Sequence, residues 1–295
     1  METVSYCDRV EWGIQARPGR SRTGPNKCKL FAMARFAATT PRFCRYPEKA
    51  MLRKIGMRAL RVLLASLGIF AAYAVLVCVP QPFFSYRVKA GGLTLYADRP
   101  IEVAAAERIL GLARERLEKC PLYAANPEAQ VFICNARWRQ RLFFNTRYGV
   151  AGVSLYPTTY NVFLREARLE ENRLISPSGK PVEGERTLDY FVAHEVTHEL
   201  TGRRVGPWTF VRMPQWVREG YADYVAKGTG FDYAGTRKAF LAGAPELDLK
   251  RSGLYLRFNL LVAYLLDHRH WTVDRLLRGP WPPQDQVESE VQSEN

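Results

Sequence analysis

Between Val62 and Tyr86 the chain carries no charged residue across 25 positions, and Val62–Val79 is almost wholly apolar. As a helix rising about 1.5 Å per residue, that stretch spans roughly 27 Å, close to the hydrocarbon thickness of a bilayer. Arg53, Lys54, Arg58 and Arg61 stand before it, and Phe83, Phe84 and Tyr86 after it, where interfacial rings are favoured. The pattern predicts one transmembrane helix over 58–84. By the positive-inside rule the N-terminus stays in the cytoplasm and the rest is exported. Ala72-Tyr73-Ala74 offers a small-x-small cleavage pattern, but VLVCV continues the apolar run beyond it. The expectation is a retained single-pass anchor in a bacterial-type inner (plasma) membrane, with the following domain periplasmic.

Past the anchor, FSYRVKA and LTLYADR alternate around Gly91-Gly92, which predicts a β-hairpin. Pro100 opens PIEVAAAERILGLARERLEKC, where Ile101, Ala105, Ile109, Leu112 and Leu117 share one helical face and charges fill the other. VFIC (131–134) predicts a short strand and ARWRQRLFF (136–144) a helix. GVSLY and NVFL flank Pro157-Thr158-Thr159-Tyr160 as a second hairpin. Residues 166–186, punctuated by Pro177, Gly179, Pro181 and Gly184, read as a loop. Helical periodicity dominates 187–201, 214–227, 253–268 and 271–278, and the polar tail 281–295 reads as disordered. Strands with one or two helices, followed by helices only, predict an α+β domain over 85–280. Its first lobe is mixed α/β with a small sheet, and its second is helical.

Charge changes the picture less than its total of +14 suggests. Residues 1–61 hold 14 Lys and Arg against 4 Asp and Glu, whereas the remainder holds 29 against 25. The basicity therefore belongs to an N-terminal arm, residues 1–57, which is rich in Arg, Pro and Gly and reads as disordered. Nucleic acid is not the expected partner. Membrane lipid is, through residues 58–84, and the arm suits anionic headgroups. MLRKIGMRALR also makes an ordinary signal n-region, so translation from Met51 or Met57 is an alternative to a natural arm. The six cysteines form no zinc pattern: Cys7, Cys28 and Cys44 lie in the arm and Cys78 in the apolar run. Cys120 and Cys134 fall in the exported part and leave two readings, a disulfide or two buried thiols.

The candidate chemistry lies in FVAHEVTHEL, residues 191–200, which holds two of the chain's four histidines. Positions i and i+4 of a helix stack one turn apart, so His194 and His198 can point both imidazoles at one metal ion. Glu195 flanks that face, within reach of a metal-activated water. This is the HExxH spacing, with two zinc ligands and a general base. A catalytic zinc usually has three protein ligands and one open position. Thr201 and Arg204 stand where a longer histidine pattern would need Gly and His. The candidate third ligand is Glu219 in PQWVREGYADYV, far enough along for a second helix to pack back on the first. Asp223, one turn on, is the candidate carboxylate for orienting a histidine ligand.

HEVTH followed by WVREGYADY resembles the gluzincins, the thermolysin-like clan of zinc metallopeptidases. The resemblance rests mainly on residues 187–226. It implies a zincin-like fold for 85–280 and one Zn2+ held by His194, His198 and Glu219. It further implies Glu195 as general base, Asp223 in support of a histidine ligand, and a peptide or protein substrate. GVSLYPTTYNVFL resembles the clan's strand beside the cleft, and LRFNLLVAYLLDHRHWTVDRLL its later helices. The GxMEN-like strand that captures a substrate N-terminus in the clan's exopeptidases is missing, so endopeptidase activity is the expectation. Tyr255, Tyr264, His268 and His270 are the candidates for stabilising the oxyanion, unranked. The competing expectation is a non-catalytic zinc-stabilised binding or assembly module of the cell envelope, against which an intact Glu195 argues.

Overall fold

The computed structural model describes residues 48–118, 120–125 and 128–294. The basic arm up to residue 47, with Cys7, Cys28 and Cys44, lies outside the described residues. The chain divides into two units, one holding Arg9–Ala71 and one holding Ala72–Asn295. Helix α1 (Glu48–Cys78) starts ahead of the predicted boundary at 58, because AMLRKIGMRALR is built of good helix formers. Its segment Gly56–Cys78, 23 residues of mean hydropathy 2.2, is long and apolar enough to cross a membrane. Val62, Leu64, Ile69 and Phe70 on it are more than half exposed, unlike a helix seated in a soluble core. Pro80 ends the apolar helix short of residue 84, and Phe84 is buried in a protein core rather than exposed as an interfacial ring.

The second unit is mixed α/β. Its sheet runs in the order β1 (Tyr86–Ala90), β2 (Leu93–Ala97), β3 (Ala129–Ile133), β5 (Asn161–Leu164), β4 (Gly152–Ser154). β1–β2 and β4–β5 are the two antiparallel hairpins, and β2–β3 and β3–β5 are parallel. Parallel neighbours need a crossover. Helix α2 (Val103–Leu117) supplies it between β2 and β3, with the short α3 (Pro121–Ala125) following. Helix α4 (Arg137–Phe144) precedes β4.

Side chains alternate across a strand, so the sheet has two distinct faces. Leu93, Leu95, Val131, Ile133, Val162 and Leu164 face the main core with the helices. Phe132 and Phe163 face the other way, into an aromatic core with Phe84, Phe143, Phe144 and Val77. The Phe143 and Phe163 rings stack at 4.5 Å. Cys120 and Cys134 belong to these two separate cores and do not pair. Cys120 lies 3.3 Å from the Tyr221 hydroxyl, and burial pushes both thiols up.

The predicted loop 166–186 instead contains a two-stranded sheet, β6 (Ala167–Arg168) and β7 (Arg173–Leu174). Leu169 and Leu174 bury themselves there, which the polar composition of the segment conceals. Helices α5 (Leu188–Val205), α6 (Pro207–Arg212), α7 (Gln215–Lys227), α8 (Tyr233–Leu241), α9 (Leu249–Ser252), α10 (Leu256–Ala263) and α11 (Val273–Arg278) follow. A π-turn, Tyr264–His268, closes α10. The tail read as disordered forms α12 (Gln284–Ser293). Val287 and Val291, spaced i and i+4, are fully buried, and Glu288 pairs with Arg257.

Helix α5 is the centre of the unit, with 16 of its 18 residues buried. Its start is fixed by Asp189, which accepts from Arg116 at 2.5 Å and Asn172 at 2.6 Å. Its end is set by Gly206 at φ 79, followed by Pro207 opening α6. Helix α7 packs on α5 and on α10, touching the latter at Gly220. A Cβ on Gly220 would lie 2.5 Å from the Phe258 carbonyl oxygen. An exposed helical Gly→Ala change stabilises by about 1 kcal/mol. Gly220→Ala should instead destabilise by about 1–3 kcal/mol, because backbone of α10 must move. A thermal or denaturant melt reads the sign directly, and a stabilised variant would refute the close contact.

Candidate metal centre

Tyr190, His194 and His198 recur at one-turn spacing along α5, and all three are buried. The two imidazoles meet edge to face, with ring centroids 4.8 Å apart and planes at 86°. Helix α7 buries Trp216, Val217, Tyr221 and Val225 and thereby presents Glu219 to the same point. Glu219 Oε2 lies 3.5 Å from His194 Nε2 and 3.2 Å from His198 Nε2. One donor atom from each residue falls within 4.8 Å of the others. A tetrahedral zinc with bonds near 2.0–2.1 Å separates its ligand atoms by about 3.3 Å. The two nitrogen–oxygen separations match that edge, and two imidazoles with one carboxylate suit a borderline-soft divalent ion. The buried His194–His198–Glu219 group can thus bind a metal ion.

Electrostatics within the group agree with its chemistry. Burial alone would raise the Glu219 carboxyl, but the two imidazoles outweigh it and hold it well below the usual carboxylate range. Burial would lower His194, but Glu219, Glu195 and Asp223 together raise it. Arg218 donates to Glu219 Oε1 at 3.3 Å, leaving Oε2 to face the histidines. This adjacent arginine had no role in the sequence reading.

Glu195 is buried beside the group, and its carboxyl is raised by burial, with Glu219 adding and the two imidazoles opposing. Two features of β4 hold it. The Ser154 backbone N–H donates toward the carboxylate. Gly152 leaves room for it: a Cβ there would lie 2.8 Å from Glu195 Cγ and Oε1, and 2.7 Å from Leu164 Cδ2. β4 is the edge strand, and Ala151 C=O accepts from Arg165 N–H on the β5 side. Alternation therefore turns the backbone groups of Gly152 and Ser154 away from β5, into a cavity of about 710 Å³.

The other candidates separate cleanly. Asp223 is buried on the face of α7 toward α5, but its carboxylate accepts from the Tyr190 hydroxyl and from Asn259 Nδ2 at 2.9 Å, not from a histidine. It braces the helices α5, α7 and α10 one turn below the ligands, and His194 Nδ1 has no hydrogen-bond partner among the described residues. Asn259, a lone amide within the apolar run of α10, was the sequence signal for this bracing. Tyr255 lines the cavity, with its ring stacked on His194 at 5.7 Å. Tyr264, His268 and His270 do not line it. Tyr264 lies 3.5 Å from Glu290, and His268 meets Glu294 at 2.7 Å and stacks on Tyr233. His270 is exposed at φ 52 in the turn after α10. These three serve the docking of α12 or the turn, so the oxyanion candidates at the site reduce to Tyr255.

Set against known proteins, the chain matches no family model, no curated protein and no solved structure.

Partners that orient a ligand typically contribute 10–100-fold in metal affinity. Arg218→Ala should therefore weaken zinc binding by about 10–100-fold, read by competition with a chromophoric chelator. Undiminished affinity would show that the Arg218–Glu219 contact does not orient the ligand.

Proposed function

We propose that the chain is a membrane-anchored, zinc-dependent endopeptidase of gluzincin type, with a zincin-like catalytic domain. The observation that carries this reading is the convergence of His194, His198 and Glu219 next to a buried, hydrogen-bonded Glu195 under an edge strand. A purely structural site has no need of that adjacent base, and structural zinc sites fill all four positions with protein ligands.

When bound, a zinc ion supplies Lewis-acid polarisation of water and of a substrate carbonyl. His194, His198 and Glu219 would hold it from two helices. Glu195 accepts the proton of the attacking water and returns it to the leaving amine, and burial, which raises its carboxyl, suits it to both halves of that exchange. The outward backbone groups of Gly152 and the carbonyl of Ser154 pair with an extended peptide as an added strand, which sets the scissile carbonyl beside Glu195. Tyr255, against His194 at the cavity wall, is the side chain placed to meet the developing oxyanion.

For location, we propose a retained anchor with the N-terminus cytoplasmic and the catalytic domain outside. The orientation rests on the arginines and lysine ahead of the apolar helix. Retention is supported by the end of α1 itself. Tyr73 donates to the Leu142 carbonyl at 3.1 Å, and Asn161 Nδ2 donates to the carbonyls of Val77 and Cys78 at 2.9 and 3.1 Å. Cleavage after Ala74 would remove the Tyr73 contact from the aromatic core.

Glu195→Gln separates the steps. Zinc content should stay at the wild-type level while hydrolysis of unstructured peptides falls by about 10²–10⁴-fold, the usual contribution of a general base. Full activity in the variant would refute Glu195 as base.

A further inference from the structure

The cavity over the metal group is lined by five arginines and no lysine, whereas its acidic residues are Glu195 and Glu219, both at the metal group. Two of the five are committed. Arg165 is buried and donates to the Tyr148 carbonyl and to Gln140, and Arg218 holds Glu219. Arg147, Arg186 and Arg251 are not so bound. Arg147 is exposed and makes no side-chain hydrogen bond or ion pair among the described residues. Arg186 makes one side-chain hydrogen bond, 3.3 Å to the Gly253 carbonyl, and its guanidinium lies 5.8 Å from the Phe191 ring centroid, neither of which neutralises its charge. Arg251 stands 3.6 Å from Asp248 with both side chains well exposed, a pair of little worth in water.

These three gather at one end of the cleft. β4 and α5 run in the same sense: Gly152 lies against Glu195, and Tyr156 lies against Gly202 further along both elements. Arg147, before β4, is thus carried toward the start of α5. Arg186 immediately precedes α5, and its bond to Gly253 brings in the turn that bears Arg251. The opposite end is apolar, walled by Tyr156, Phe210, Val211 and Met213. The metal group lies between the two ends.

We propose, resting on the peptidase reading, that the cleft selects peptides with acidic side chains on one side of the scissile bond and an apolar residue on the other. Arg147, Arg186 and Arg251 bind the carboxylates. Guanidinium forks match carboxylate geometry, and the cavity lining holds no acid apart from the two at the metal group. A nucleic acid also carries negative charge, but the apolar end and the edge strand fit an extended peptide better than a phosphodiester backbone.

The test uses the full zinc-loaded chain in detergent. Three fluorescent peptide pools share random centres and differ in flanks of Glu, Gln or Lys. Binding is read by anisotropy with the Glu195→Gln variant, and cleavage by mass spectrometry with the wild type. The Glu pool should bind roughly tenfold more tightly than the Gln pool, as expected for about three partly exposed ion pairs. That preference should shrink with added salt and collapse toward equality in Arg147→Gln/Arg251→Gln with zinc content retained. Cleavage sites should show acids on one constant side. Equal binding of the three pools, a preference for Lys, or displacement of the Glu pool by oligothymidylate in preference to oligoglutamate would overturn the proposal. Binding preference without cleavage of any pool leaves the acidic subsite standing and removes the peptidase reading. Cleavage of all pools without binding preference does the reverse.

Discussion

The carboxylate of Glu219 meets two imidazoles inside a protein core, and much of the surrounding architecture follows from the cost of putting it there. An ionised carboxylate taken from water costs several kcal/mol unless it is paired and hydrogen-bonded. Here His194, His198 and Arg218 surround it. Those partners work only if α5 and α7 keep a fixed separation and rotation. Bracing below them supplies that constraint: Tyr190, Asp223 and Asn259 form one buried chain linking α5, α7 and α10. Gly220 lets α7 lie directly on the backbone of α10.

The sheet serves the same centre from the other side. Its main-core face seats α5 against β4 and β5, while its opposite face is sealed by phenylalanines and the end of α1. The edge strand then brings Gly152 and Ser154 to Glu195. A helix buried on nearly all sides would ordinarily be apolar. Helix α5 instead buries His194, Glu195, His198 and Glu199, and burial pushes the Glu199 carboxyl up to about 7 against the opposing pull of Arg203. Such a concentration of titratable groups in a core is expensive, and it clusters where chemistry demands it.

Much of this was legible in the chain. Period-two alternation located the first hairpin, short apolar runs located β3 and β5, and the 3.6 period located α2, α5, α7, α10 and α11, while the shorter helices α6, α8 and α9 were not read from the sequence. The i, i+4 histidines and the glutamate twenty-one positions on gave the buried group that can bind a metal ion, because helix geometry converts those spacings into positions. Three kinds of information were hidden. Residues 166–186 and the tail looked unstructured because their buried positions are few, Leu169, Leu174 and Ile175 in one and Val287 and Val291 in the other. The role of Gly152 depends on a contact between a strand and a helix far apart in sequence, which no local pattern encodes. Asp223 sat on the expected face, but only the packed structure reveals that Tyr190 and Asn259, rather than a histidine, claim its oxygens.

The central claim is that three side chains from α5 and α7 hold one divalent ion. X-ray absorption at the zinc K edge, on the full chain loaded with one equivalent of zinc, tests it most directly. The expected inner shell is two imidazole nitrogens and oxygen at about 2.0–2.2 Å, lost or rearranged in Glu219→Ala. A sulfur shell at about 2.3 Å, or an inner shell identical in Glu219→Ala, would contradict it.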